Sequence, residues 1–163
     1  VDVGSLEQAA ARELTARGLT LSVAESCTGG LLSKRITDVA GASKFYKGGA
    51  CTYCNEIKRK ILGVSKETLD RYTAVSVQTA EEMARGIAQV YGTDIGIGIT
   101  GYAGPDGGED GTPVGTIHIG ICFQGKAQVR TICSPRGREN ARRDAANHAL
   151  DMILRAAKKG ANG

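Results

Sequence analysis

Asp94-Ile95-Gly96-Ile97-Gly98-Ile99-Thr100-Gly101 is the stretch whose reading decides the fold. Isoleucine at every second position gives the period of two that marks a β-strand. The alternate positions are glycine, so one face of the strand is bulky and the other is bare. A strand of that kind predicts an inner position, packed closely on both sides. Upstream, Ser76 is a good N-cap for a helix running to Tyr91, which Gly92 ends. Downstream lies a long glycine-rich loop over residues 101–112. Two further strands follow, over 114–123 and 126–133. Gln124-Gly125 between them predicts a hairpin. A final helix covers 138–158.

The N-terminal half carries the same signals. Ser5 followed by Gln8 resembles a capping box, and Gly18 closes the helix it starts. Leu19, Leu21 and Val23 alternate as a strand. A polar loop from Glu25 to Gly30 leads into an amphipathic helix marked by Leu31, Leu32, Ile36 and Val39. After a loop over 41–49, a short strand is expected over 50–54. Asn55 is the expected cap of the next helix, which Gly63 stops. A short helix starts at Ser65. The order α-β-α-β-α-α-β-β-β-α predicts a three-layer α/β/α sandwich. Its sheet is expected to be largely parallel with an antiparallel edge hairpin. One domain over 1–163 is expected. Ligands in such sheets bind beyond the carboxyl ends of the strands. Three loops are therefore expected on one rim: the Glu25 to Gly30 loop, the turn between Cys54 and Lys58, and the loop from Thr100 to Asp106.

Composition narrows the function. Hydrophobic residues make up 41% and charged residues 23%, as in an ordinary globular protein. A net charge of +4 falls short of a dedicated nucleic-acid binder. Five cysteines are an odd number and fit reduced thiols in a cytoplasmic protein. Cys51 and Cys54 have C-x-x-C spacing but lack two further ligands, and no metal site is expected. The apolar runs are too short to span a bilayer. Glycine is the outlier at 23 residues, about twice its usual share, and it clusters.

Three segments carry chemistry-bearing residues. In Ala24-Glu25-Ser26-Cys27-Thr28-Gly29-Gly30, free N–H groups at a helix start could bind an anion, and Glu25 suits a cationic or hydroxylated ligand. A polar capped turn is the plainer alternative. In the second segment, Tyr53 ends a strand and Lys58 lies in the first turn of a helix. The positive end of that helix disfavours protonated lysine and so favours a usable base. Serine needs such a base to become a nucleophile, and Ser–Lys pairs provide one without histidine. In the third, Gly101-Tyr102-Ala103-Gly104-Pro105-Asp106-Gly107-Gly108, backbone N–H groups could hold an oxyanion or a phosphate.

These three blocks, with Pro113-Val114-Gly115-Thr116 and the helix start at Arg138, resemble the signature blocks of the CinA C-terminal family. The similarity runs from about residue 5 to residue 155. The resemblance implies an amidohydrolase that converts nicotinamide mononucleotide to nicotinic acid mononucleotide and ammonia, without metal or organic cofactor. It places the catalytic serine, tyrosine and lysine on Ser43, Tyr53 and Lys58. Substrate contacts are expected from Glu25, Ser26, Thr28, Gly29, Gly30, Thr100, Gly101, Gly104, Arg138 and Arg142. The chain resembles the stand-alone form, since 163 residues leave no room for an added nucleotide-processing domain. The expected partners are the nucleotide and further copies of the chain, with neither nucleic acid nor membrane. Three alternatives stay open: a non-catalytic nucleotide-binding module, a nucleic-acid partner protein, and Cys27 as nucleophile, activated by a helix N-terminus.

Overall fold

The computed structural model describes residues 5–160. Helix α1, Leu6–Arg17, is capped by Ser5, whose Oγ accepts from the Gln8 N–H, and ends at left-handed Gly18. Strand β1 is Leu21–Glu25 and helix α2 is Leu31–Thr37. A 3-10 turn, Ala42–Lys44, precedes strand β2, Tyr46–Cys51. Helices α3, Asn55–Leu62, α4, Lys66–Tyr72, and α5, Val77–Tyr91, follow in succession. Strands β3, Ile95–Gly101, β4, Thr116–Phe123, and β5, Lys126–Cys133, lead to helix α6, Arg138–Lys159.

The strands form one sheet in the order β2-β1-β3-β4-β5. β1 pairs parallel with both β2 and β3, while β3–β4 and β4–β5 are antiparallel. Only β4 therefore runs against the other strands, which is the largely parallel sheet with a hairpin edge that the element order predicts. The hairpin turns at Gln124 and Gly125, both with positive φ, as a two-residue type I′ turn requires.

The isoleucine–glycine strand sets the layers. Ile95, Ile97 and Ile99 are wholly buried in one core with Leu14 of α1 and Ala145, Ala149 and Ile153 of α6. The opposite face is nearly bare, so α5 lies directly on the sheet. A Cβ added to Gly98 would stand 2.6 Å from the Met83 Cβ. A second core on that side joins Ala24 to Leu62, Leu69, Met83 and Ile87.

Several boundaries differ from the sequence expectation, among them the start of β4 at Thr116 rather than at 114. β2 starts at Tyr46 rather than at 50 and stops at Cys51. Cys54, not Asn55, is the N-cap of α3. The earlier start matters for function. Phe45 accepts from the Leu21 N–H at 2.9 Å, so the chain before β2 lies beside the start of β1. β1, β2, β3 and β5 all end at the opposite edge. That edge gathers the loops after β1, β2 and β3 together with the first turn of α6.

Candidate active site

Among the described residues Lys58 is the largest fully buried side chain, only 1% exposed, and it forms no ion pair with any of them. A buried ammonium without a carboxylate is costly, and burial pushes the Lys58 pKa below the usual lysine value. Its Nζ reaches back from α3 to the loop after β1. There it donates to Ser26 Oγ at 3.0 Å and to the Tyr53 carbonyl at 2.9 Å. Ser26 Oγ itself donates to the same carbonyl at 3.4 Å. One backbone oxygen thus aligns a serine hydroxyl and a lysine amine against each other.

The pair opens into a recess of about 240 Å³. Its walls are Ser26 and Cys27 from the first loop, Tyr53 and Lys58 from the second, and residues 100–104 and Asp106 from the third, with Ala74, Val75 and Arg138 completing it. The three expected loops do meet at one rim, because parallel strands end together. Arg138 fastens the third loop by donating to the Gly104 carbonyl at 2.7 Å. Thr100 Oγ donates to the Ala74 carbonyl at 2.6 Å, which fixes the turn between α4 and α5 as a wall.

Of the expected site residues, Ser26, Tyr53, Lys58, Thr100, Gly101, Gly104 and Arg138 line this recess, and the others do not. Ser43 sits exposed in the 3-10 turn before β2, at the other edge of the sheet. A strand of six residues spans roughly 17–20 Å, so Ser43 cannot be the hydroxyl at Lys58. Ser26 takes that place. Tyr53 contributes its carbonyl to the pair. Its ring is 64% exposed at the mouth, with the phenol oxygen 3.4 Å from Arg138 Nη2. Among the described residues the phenol makes no hydrogen bond to Lys58 or Ser26.

Glu25 has a different task from the expected one. Its buried carboxylate accepts from the Leu32 N–H at 2.8 Å, the Ser33 N–H at 3.0 Å and the Ser33 hydroxyl at 2.6 Å. The start of α2 is thus occupied by the protein's own anion, and Thr28, Gly29 and Gly30 offer no phosphate cradle there. Arg142 donates to the Thr28 carbonyl at 2.9 Å, which braces the Ser26 loop from behind. Glu25→Gln is expected to lower stability by about 1.5–3 kcal/mol, since it weakens hydrogen bonds to a charged acceptor. Urea unfolding checks this; an unchanged midpoint with a raised KM would instead make Glu25 a ligand contact.

Cys27 is 7% exposed, and burial pushes its thiol up to about 11. At neutral pH it is the protonated, poorly nucleophilic form. Sequence reasoning missed Tyr102, Ala103, Asp106, Ala74 and Val75 as walls. Only the glycine-rich block around the first three was a signal. Among the described residues no group of three or more His, Cys, Asp or Glu could hold a metal ion. No helix of the described residues is long and apolar enough to cross a membrane.

The same architecture occurs in solved structures. The competence-damaged protein (CinA) superfamily protein from Klebsiella pneumoniae superimposes with a TM-score of 0.92 at 39% identity, covering 94% of this chain and 96% of that one. The corresponding Escherichia coli superfamily protein gives 0.89 at 38%, covering 94% and 91%. Among curated sequences, a CinA-like protein of Kosmotoga olearia is 49% identical over 152 residues, 93% of this chain. A CinA-like protein of Desulfovibrio desulfuricans is 46% identical over 159 residues, 95% of this chain. The chain spans 37% of the length of each of these two curated relatives. The model of the CinA C-terminal domain matches residues 3–157. With that match over nearly the whole chain, the protein belongs to the CinA C-terminal domain family.

Proposed function

We propose that this chain is an amidohydrolase that deamidates nicotinamide mononucleotide. The observation that carries the proposal is the buried, carboxylate-free Lys58 amine 3.0 Å from Ser26 Oγ. Burial disfavours the charged form of this amine, which favours its taking the serine proton. Ser26 Oγ attacks the carboxamide carbon while Lys58 Nζ accepts its hydrogen. The resulting ammonium gives that proton to the amide nitrogen as the C–N bond breaks, and ammonia leaves. Water then attacks the Ser26 ester, Lys58 accepting its proton and passing it to Ser26 Oγ as the acyl C–O bond breaks, which releases the acid product as its carboxylate and restores the pair. The Cys27 N–H directly follows the nucleophile in the chain and is the candidate donor to the oxyanion.

The phosphate of the substrate falls to Arg138. Among the described residues it is the only arginine that lines the recess, and it has no carboxylate partner. Incubation with the mononucleotide should release ammonia and nicotinic acid mononucleotide. Nicotinamide riboside should be at least about tenfold poorer in kcat/KM, the scale of one lost charge-assisted contact. No ammonia from either compound would leave a binding module in place of an enzyme. Equal kcat/KM for both would remove the phosphate contact.

A further inference from the structure

Among the described residues Asp106, itself exposed, is the only carboxylate that lines the recess, and the deamidation proposed above gives it no task. It forms neither a hydrogen bond nor an ion pair with any described residue, although the first turns of α6 opposite carry Arg138, Arg142 and Arg143. Its position is nonetheless built. Two residues before it, the Gly104 carbonyl is held by Arg138. Two residues after it, the Gly108 N–H donates to the Thr112 carbonyl at 2.8 Å, and a Cβ on Gly108 would stand 2.9 Å from the Tyr102 ring. The loop is thus pinned on both sides of Asp106.

The charges of the recess are separated accordingly. Arg138 supplies the positive charge, and burial disfavours the ammonium form of Lys58. Asp106 supplies the negative charge. Tyr53, whose ring is exposed at the mouth, and Tyr102 belong to the same walls, and aromatic faces attract cations. An anion at the mouth of the recess beside two tyrosines recognises a flat organic cation, while Arg138 recognises an anion. We infer that Asp106 is a specificity-determining residue that makes the recess select zwitterionic substrates, with a cationic N-substituted ring at one end and an anionic group at the other. The inference rests on the nucleotide amidase function proposed above, and it adds that the ring must carry a positive charge to bind well.

Binding separates this selectivity from chemistry, because a cationic ring also activates its own carboxamide. The protein with Ser26→Ala, which cannot turn substrate over, is titrated calorimetrically with nicotinamide mononucleotide and with its 1,4-dihydro form. The two ligands share the amide, ribose and phosphate and differ in ring charge. The cationic form should bind about tenfold more tightly, the scale of one partly exposed charge contact together with cation–π attraction. Adding Asp106→Asn should bring the ratio close to one, with affinity for the dihydro form little changed. Adding Glu109→Gln, which removes an equal charge from the same loop outside the recess, should leave the ratio intact. Equal affinities in the Ser26→Ala parent would overturn the cation selectivity and leave the nucleotide reading standing. An equal loss of ratio in Glu109→Gln would overturn the assignment to Asp106. Failure of both ligands to bind would overturn the nucleotide reading and this inference with it.

Discussion

Ser26→Ala is expected to reduce ammonia release from nicotinamide mononucleotide by a factor on the order of 10³ or more, the scale seen when a serine nucleophile is removed. Ser43→Ala should stay within about twofold of the parent. The contrast follows from the sheet. Ser26 comes directly after β1, where Lys58 Nζ reaches it at 3.0 Å, whereas Ser43 comes before β2 and is exposed at the other edge. Losing one buried hydroxyl should barely disturb the fold, since Lys58 keeps the Tyr53 carbonyl at 2.9 Å. Steady-state ammonia release with a circular-dichroism check of folding measures both variants. Substantial turnover by Ser26→Ala would remove the serine mechanism, and coincident loss in Cys27→Ala would transfer it to the thiol.

Lys58→Arg should be equally inactive, although it keeps the positive charge. A base must be neutral when it accepts a proton, and a free lysine at neutral pH is neutral in fewer than about one molecule in a thousand. Burial raises that fraction by lowering the pKa of Lys58. Arginine cannot follow, because it does not release its proton in this range. The kcat/KM profile should therefore show an acidic limb, with activity rising as Lys58 loses its proton. Stability carries the same signature. The folded pKa lies below the unfolded one, so between the two the unfolded chain binds more protons. Stability thus rises with pH through that window, and the cost of the buried charge is full below the folded pKa. Lys58→Met should abolish both the activity and this rise, without lowering stability at neutral pH. Retained activity in Lys58→Arg would make the lysine a mere electrostatic anchor.

Both variants bear on how far local signals reach. Lys58 was legible because a lysine in the first turn of a helix opposes the helix field, and that conflict points to a use. Its hydroxyl partner was not legible from spacing. Ser43 and Ser26 are both hydroxyls upstream of Tyr53, and linear distance does not say at which end of a strand each one lies. The start of β2 decided it. Gly48 and Gly49 made residues 41–49 look like a loop, yet they pair with Ser22 and Val23 of β1. Glycine weakens a strand locally, and pairing to β1 overrides that weakness.

Glu25 shows the same limit from the electrostatic side. A carboxylate beside a glycine-rich helix start could serve a ligand or the helix itself, and both leave one signature in sequence. Only the path of α2 decides, because it carries the Leu32 and Ser33 N–H groups onto the carboxylate. Arg138 and Arg142 divide likewise. They lie four residues apart on one helix, yet one turn separates a residue that lines the recess from one that braces the loop behind it.

By itself the sequence determined the element types, the α/β/α layering, the hairpin at Gln124-Gly125 and the rim where three loops converge. These follow from periodicity, glycine placement and the common direction of parallel strands, all of which act over a few residues or through topology alone. The tertiary structure decided which hydroxyl meets Lys58, which carboxylate is spent on a helix and which lines the recess, and which arginine lines it. Those outcomes turn on contacts of about 3 Å between segments far apart in the chain, such as the 32 residues from Ser26 to Lys58. Packing of the sheet and helices sets such distances, and no local pattern encodes them.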